Sequence, residues 1–254
     1  MLKTYFIDGD KGGVGKSVAT RALVHHFLQK PSDERPKIVV YDADLSNPDV
    51  CGEGGLKAGE GILATALIDL STENGWIDFA GHVAKISHLA QQADCRIIVN
   101  MPAQIGTRAF DGSIPIVNEV MREANAIPIW LLSRTEESIR ALNYRIQNMP
   151  ARYASGLVVK NLFFGAADKF LLWDKNELRQ DLVQNSSWLE TTLPELNDQL
   201  TVMIGRRPYH EVLLKGIDGR QLDLGYRLTL KAWLEKAARA MAVVDQLTEE
   251  DFQS

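Results

Sequence analysis

Residues Asp10–Ser17 read DKGGVGKS and lie between a short β-type run, Thr4–Asp8, and a helical run, Val18–Gln29. A glycine-rich turn between a strand and a helix is the context of a phosphate-binding loop. Glycines lack a Cβ atom, so backbone N–H groups can turn toward an anion, and the helix start adds uncapped N–H donors and its positive dipole end. Lys16 can then reach the outer phosphates of a nucleotide, and the Ser17 hydroxyl can bind Mg²⁺.

This stretch departs from the standard pattern G-x-x-x-x-G-K-[ST], because Asp10 stands at the position of the first glycine. The variant pattern K-G-G-x-G-K-[ST], known as the deviant Walker A form, matches at every position and adds Lys11. A second lysine five residues before Lys16 marks one branch of the nucleotide hydrolases. On these residues the chain resembles the ParA/MinD family of ATPases. The alternative is a glycine-rich turn whose lysines are only solvated.

The resemblance implies a P-loop NTPase that binds ATP with Mg²⁺ and forms a homodimer around the nucleotide. In the family the extra lysine reaches the partner's nucleotide, the second acid of an Asp-x-Asp positions the attacking water, and an asparagine ending a later strand contacts adenine. The implied catalytic residues are Lys11, Lys16 and Asp44. The residues implied to bind the nucleotide are Lys11, Gly12, Gly13, Val14, Gly15, Lys16, Ser17, Val18 and Asn161.

Apolar runs alternate with helical patterns along the chain, which predicts an α/β fold with a doubly wound, mainly parallel sheet flanked by helices. Beyond the first strand and helix, the predicted strands are Lys37–Asp42, Cys95–Asn100, Ile127–Leu132 and Gly156–Lys160. The further predicted helices are Gly61–Leu70, Ile116–Glu123 and Glu136–Gln147. Ligands of such sheets bind outside the carboxyl ends of the strands, so residues that end strands are candidates for the site.

Two of these strand ends carry the predicted metal site. The run Lys37–Asp42 continues into Ala43 and Asp44, and carboxylates there would lie near a magnesium–phosphate complex. The alternative is a turn that needs such residues for backbone reasons alone. The strand Cys95–Asn100 ends in asparagine where the family has aspartate. The predicted metal-associated residues are Ser17, Asp44 and Asn100.

Asn100 offers an oxygen atom but no charge, so this departure puts rapid hydrolysis in doubt more than nucleotide binding. Aspartate is nearly isosteric with asparagine. We therefore expect Asn100→Asp to fold normally, to bind Mg²⁺ more tightly and to raise turnover. The alternative is that Asn100 only ends the strand and hydrogen-bonds the next turn.

Composition favours a single domain over residues 1–254, which the resemblance implies is a P-loop ATPase domain, with a C-terminal helical region at about 226–247. No linker divides the 254 residues, of which 45% are hydrophobic and 24% charged, as in ordinary globular proteins. Two cysteines, Cys51 and Cys95, give no disulfide or metal pattern. The lack of a signal peptide and of a membrane-spanning run predicts a cytoplasmic protein with no membrane span.

Charge limits the partners that the sequence predicts. A net charge of −5 disfavours strong nonspecific DNA binding, so nucleic-acid contact is predicted to be weak or indirect. The resemblance implies that a DNA-binding adaptor protein is the partner. Four arginines lie close in sequence, interleaved with acids, and are interpreted as a solvated face rather than a DNA-binding patch: Arg134, Arg140, Arg145 and Arg152.

The tail has apolar residues at helical spacing from Leu228 to Leu247 and an acidic end, Thr248–Ser254. An anionic bilayer would repel that end, which favours a helix packed on the sheet or on a partner over a membrane helix.

The sequence predicts a slowly hydrolysing ATPase whose dimer is switched by nucleotide and acts in plasmid DNA segregation, positioning or conjugative transfer. Two alternatives remain open. One is a nucleotide-dependent interaction module that does not hydrolyse ATP, which Asn100 favours. The other is a P-loop metabolic kinase, against which Lys11 argues.

Overall fold

A seven-stranded parallel sheet forms the centre of the fold, with the strand order β3-β2-β4-β1-β5-β6-β7. The computed structural model describes residues 1–102, 114–148 and 155–247. Its strands are β1 (Leu2–Gly9), β2 (Lys37–Asp42), β3 (Ile62–Leu67), β4 (Cys95–Asn100), β5 (Ala126–Leu132), β6 (Ser155–Asn161) and β7 (Ser187–Leu193). Every neighbouring pair in this sheet is parallel, so the predicted α/β sheet is confirmed and is parallel throughout.

Helices cover both faces of the sheet. They are α1 (Lys16–Leu28), α2 (Glu73–Ala90), α3 (Val117–Glu123), α4 (Glu136–Asn148), α5 (Leu171–Asp174), α6 (Glu177–Arg179), α7 (Asp198–Ile204), α8 (Tyr209–Lys215) and α9 (Leu224–Met241). One face packs against α1, α7, α8 and α9, and the other against α2 and α3. Because central strands such as β5 are buried on both faces, they are continuous apolar runs rather than alternating ones.

The segment predicted as a helix, Gly61–Leu70, forms the edge strand β3 instead. Its leucines and alanines are good helix formers, and a short apolar run does not by itself distinguish a strand from a helix. Pairing with β2 decides the outcome, with Val40 opposite Thr65 and Asp42 opposite Leu67. Gly61, at φ 101°, has a backbone conformation that lies outside the helical region.

The C-terminal helix α9 packs against α1, the helix that follows the glycine-rich loop. Its buried side chains recur at helical spacing and include Leu230, Trp233, Leu234, Ala237 and Met241. The acidic end of the sequence, residues 248–254, lies outside the described residues. Across the described ranges, no helix combines the length and the apolar character needed to cross a bilayer.

Candidate functional site

The glycine-rich loop joins β1 to α1 at the carboxyl edge of the sheet. Gly13 and Gly15 have φ angles of 76° and 101°, in the left-handed region that glycine adopts without strain. Gly15 is the N-cap of α1 and provides no side-chain cap. The first N–H groups of the helix therefore remain available to an anion. The buried Val14 side chain anchors the loop in the core.

Lys16 is folded back over this loop. Its side chain is almost fully buried, and its Nζ donates a hydrogen bond to the backbone oxygen of Lys11 at 3.0 Å. Burial lowers the pKa of Lys16, while the negative charges of Asp8, Asp44 and Asp10 act in the opposite direction. The positive charge is thus held beside the loop that would surround a phosphate group.

Asn161, at the end of β6, supports the loop from the other side. Its Nδ2 donates to the backbone oxygen of Val14 at 2.8 Å, and its Oδ1 accepts from the backbone N–H of Phe163 at 3.1 Å. A Cβ atom on Gly15 would lie only 2.4 Å from this Nδ2. The adenine contact predicted for Asn161 would therefore have to use the remaining Nδ2 hydrogen or the second lone pair of Oδ1. Supporting the loop is a role that sequence reasoning missed.

We expect Gly15→Ala to destabilise the nucleotide-free protein more than Gly13→Ala. Both changes place a Cβ on a left-handed residue, which costs about 1–2 kcal/mol. Only alanine at position 15 would also push against Asn161, because, apart from the two adjoining residues, no heavy atom of the described residues lies within 4 Å of a Cβ on Gly13. Chemical denaturation of the two variants measures the difference. Equal stabilities would show that the contact with Asn161 does not constrain the loop.

Asn100 ends β4 and is buried between β2 and α1. Its Nδ2 donates to Oδ1 of Asp42 at 2.9 Å, and its Oδ1 lies 3.3 Å from the Thr20 hydroxyl, whose single proton is shared with the backbone oxygen of Lys16 at 2.9 Å. Asp42 and Asn100 are register partners, and both side chains are almost completely excluded from solvent. Each polar atom of the Asn100 carboxamide therefore has a partner within the protein.

Asp42 organises the loop that follows β2. Besides the bond from Asn100, its Oδ1 accepts from the backbone N–H of Asp44 at 3.2 Å. Its Oδ2 accepts from the backbone N–H groups of Val50 at 2.8 Å and Cys51 at 3.1 Å. Sequence reasoning missed this role. The available signal was a carboxylate within a buried strand, which needs hydrogen-bond donors around it.

Asp44 lies half-buried just beyond the strand end. Its Oδ1 accepts from the Ser46 hydroxyl at 2.7 Å and from the backbone N–H of Asn47 at 3.1 Å. Its charge acts on Lys16, which places it on the lysine side of the site. With the Ser17 hydroxyl it offers the hard oxygen atoms that suit Mg²⁺, which usually retains several waters and binds substrate phosphates.

A buried ion pair lies beneath the loop, between Asp8 near the end of β1 and Arg145 of α4. Both side chains are less than one-tenth exposed. The interpretation of Arg145 as part of a solvated face is wrong, because it continues the buried stripe of Ile139 and Leu142 at helical spacing. Arg140, in contrast, forms an exposed pair with Glu136, and Arg152 lies outside the described residues.

Comparisons with known proteins define what this arrangement resembles. No family model matches the chain. Protein MobD of Acidithiobacillus ferrooxidans is 27% identical over 241 residues, which cover 93% of this chain and 95% of MobD. The MinD cell division protein of Aquifex aeolicus has a TM-score of 0.53 and 16% identity, covering 97% of this chain and 98% of MinD.

Two further solved structures are also similar to this chain along its length. The ParA protein of pNOB8 has a TM-score of 0.53 and 11% identity, covering 97% of this chain and 99% of that one. The ATP complex of a McdA variant from Cyanothece has a TM-score of 0.52 and 14% identity, covering 98% of each chain. The chain has the fold of the ParA/MinD ATPases. The predicted resemblance is confirmed at the level of the fold.

In this ParA/MinD-type fold, the predicted site residues gather at one edge of the sheet. The glycine-rich loop follows β1, Asp44 follows β2, Asn100 ends β4 and Asn161 ends β6. Parallel strands present their carboxyl ends on the same side, which brings these separate stretches of sequence together. The structure adds Asp42, Thr20 and the Asp8–Arg145 pair to the residues that shape this edge.

Proposed function

We propose that this protein binds ATP with Mg²⁺, dimerises on nucleotide binding and hydrolyses ATP slowly, in the segregation, positioning or transfer of plasmid DNA. The observation that carries the proposal is the buried Lys16 ammonium, held 3.0 Å from the Lys11 carbonyl in an uncapped glycine-rich loop. Similarity to MobD along almost the whole chain and the ParA/MinD fold support this choice of biology.

In the proposed reaction, the chain contributes mainly position and charge. Lys16 leaves the Lys11 carbonyl for the β- and γ-phosphates, while the N–H groups at the start of α1 hold phosphate oxygens. The Ser17 hydroxyl would bind Mg²⁺, which neutralises phosphate charge when bound. Asp44 would orient the attacking water, and Lys11, which is exposed, would reach the partner's nucleotide.

Asn100 supports slow turnover. The carboxamide brings no negative charge to this strand end, and its oxygen faces the Thr20 hydroxyl, 3.3 Å away inside the protein. A metal bound to Ser17 and the phosphates would therefore receive less electrostatic help from β4 than a carboxylate would give. The same observation favours the second candidate, a nucleotide-dependent interaction module without hydrolysis. ATP turnover, measured with and without candidate partners, distinguishes the two.

The proposed partner is a DNA-binding adaptor rather than DNA itself. A ParA of the same fold has been solved bound to nonspecific DNA. This chain has a net charge of −5, however, which favours weak or adaptor-mediated contact with an anionic polymer. A filter-binding titration at low and moderate salt, with and without the adaptor, tests this part of the proposal.

We expect Lys11→Ala to retain ATP binding but to lose ATP-induced dimerisation and turnover. Lys11 is exposed, and the contact it gives to Lys16 comes from its backbone carbonyl, which alanine retains. Light scattering with a slowly hydrolysed ATP analogue reports the mass of the complex, and Lys231→Ala on α9 is a control for loss of an exposed positive charge. A Lys11→Ala protein that dimerises and hydrolyses ATP normally would show that Lys11 is only a loop lysine.

A further inference from the structure

The loop after β2, which carries Asp44, is held from outside by one arginine. Arg206 Nε donates to Oδ1 of Asp49 at 2.8 Å, and its Nη2 donates to Oδ1 of Asn47 at 2.8 Å. Arg206 lies between α7 and α8, 157 residues beyond Asp49 in the chain. Asn47 in turn donates its backbone N–H to the Asp44 carboxylate at 3.1 Å. Arg206 is therefore connected to the Asp44 carboxylate through a single intervening residue, Asn47.

The segment that carries Arg206 is fastened to α1. Arg21 Nη1 donates to the backbone oxygen of Gly205 at 2.6 Å and to that of Arg207 at 3.3 Å. The Arg21 guanidinium also lies over the ring of Tyr209, 4.6 Å from its centroid. Arg21 is buried and donates from Nε to the backbone oxygen of Ser17, in the first turn after the glycine-rich loop.

We propose that Arg206 is a positioning residue that fixes the Asp44 loop relative to the phosphate-binding loop. The path runs from Ser17 through Arg21 and the segment 205–207 to Asn47 and Asp49. We call the contacts of Arg206 with Asn47 and Asp49 the tether. The effect of Arg206 on turnover rests on the proposed ATPase function, whereas the tether itself does not. Asp44 belongs to this loop, so loosening the loop changes the position of the Asp44 carboxylate without removing any group proposed to bind the nucleotide.

The chemistry of the arginine suits this role. A guanidinium presents several donors in a fixed planar fork, so it can hold two acceptors at once, whereas a lysine ammonium acts as a point charge. Leu45, Ser46 and Asn47 are exposed, so this part of the loop has little burial to hold it. An exposed ion pair adds little to global stability, so its loss should be felt locally.

Hydrogen exchange of the nucleotide-free protein tests the tether. In Arg206→Ala we expect the amides of Asn47 and Asp49, whose N–H groups are hydrogen-bonded within the loop, to exchange about fivefold faster, the size expected for loss of one exposed charged contact. The amides of Asp44, Val50 and Cys51 are bonded to the buried Asp42 carboxylate and should change less. Arg140→Ala, which breaks an exposed pair with Glu136, is the matched control and should leave the loop unchanged. Unaltered exchange at Asn47 and Asp49 in Arg206→Ala would overturn the tether.

Steady-state ATP hydrolysis tests the positioning role. We expect Arg206→Ala to lower kcat about fivefold with KM for ATP changed less than twofold. The kcat of Arg206→Lys should lie between those of Arg206→Ala and the wild type. Faster exchange with an unchanged kcat would overturn the positioning role and leave the proposed ATPase function intact. A wild-type protein that hydrolyses no ATP would instead overturn the proposed hydrolysis and with it this role of Arg206, while the exchange result still decides the tether.

Discussion

Lys16→Ala is expected to bind ATP about 100-fold more weakly than the wild type. The ammonium is almost fully buried before nucleotide arrives, and its hydrogen bond to the Lys11 carbonyl is the contact that a phosphate would replace. Loss of charge-assisted hydrogen bonds of this kind costs about 3 kcal/mol, which corresponds to about 100-fold in affinity. Calorimetric titration with ATP and Mg²⁺ measures the change.

The fold of Lys16→Ala should survive, because removing a buried positive charge also removes its desolvation cost. Thermal unfolding without nucleotide therefore serves as the check that the protein is intact. Lys231→Ala, which removes an exposed charge from α9, should bind ATP as the wild type does. Equal ATP affinity in Lys16→Ala and the wild type would contradict the assignment of Asp10–Ser17 as a phosphate-binding loop.

Asn100→Asp is expected to destabilise the nucleotide-free protein by about 3 kcal/mol at pH 7, the cost of an uncompensated buried charge. The sequence alone suggested that this nearly isosteric change would be tolerated. The structure corrects that expectation, because the Asn100 Nδ2 donates to Asp42 at 2.9 Å inside the protein. An aspartate there would set two buried carboxylates against each other, with no donor between them.

The pH dependence of Asn100→Asp identifies the cause. Two adjacent carboxylates retain a proton, so the folded pKa of the pair rises above the unfolded value of about 3.9. The folded state then binds more protons than the unfolded state, and the variant loses stability as pH rises between those two values. Denaturation at pH 5 and pH 8 should show the larger deficit at pH 8.

Asn100→Ala is the matched control, because it removes the same hydrogen bonds without adding a charge and should show a much smaller pH trend. Mg²⁺ with ATP should restore more stability to Asn100→Asp than to the wild type, since a divalent cation offsets the added charge. A variant whose stability matches the wild type at both pH values would show that position 100 does not contact Asp42 in solution.

Local sequence predicted the glycine-rich loop well, because its strand, turn and helix are consecutive. The left-handed φ of Gly13 and Gly15 is a requirement that only glycine meets without strain, so the residue type itself carries the information. The edge strand β3 was mistaken for a helix for the opposite reason. Its conformation is fixed by pairing with β2. The leucine and alanine residues of this segment do not by themselves indicate that a neighbouring strand is present.

The hydrogen bonds and ion pairs within the site could not be predicted from the sequence. Asn161 and Val14 are 147 residues apart, and Arg145 and Asp8 are 137 residues apart. Each pair forms only when different strands and helices meet. A strand-ending asparagine could be placed at the correct edge of the sheet, but its use in bracing the glycine-rich loop depends on the neighbour that it meets there.

The packing of α9 against α1 has a consequence for biosynthesis. The glycine-rich loop is synthesised well before α9, yet the helix that this loop begins is covered on one side by α9. This contact joins segments far apart in the sequence, which raises the contact order of the fold. A nascent chain stopped before Leu224 would leave the side of α1 that packs against α9 uncovered, so the proposed nucleotide binding should be acquired only after α9 has been made.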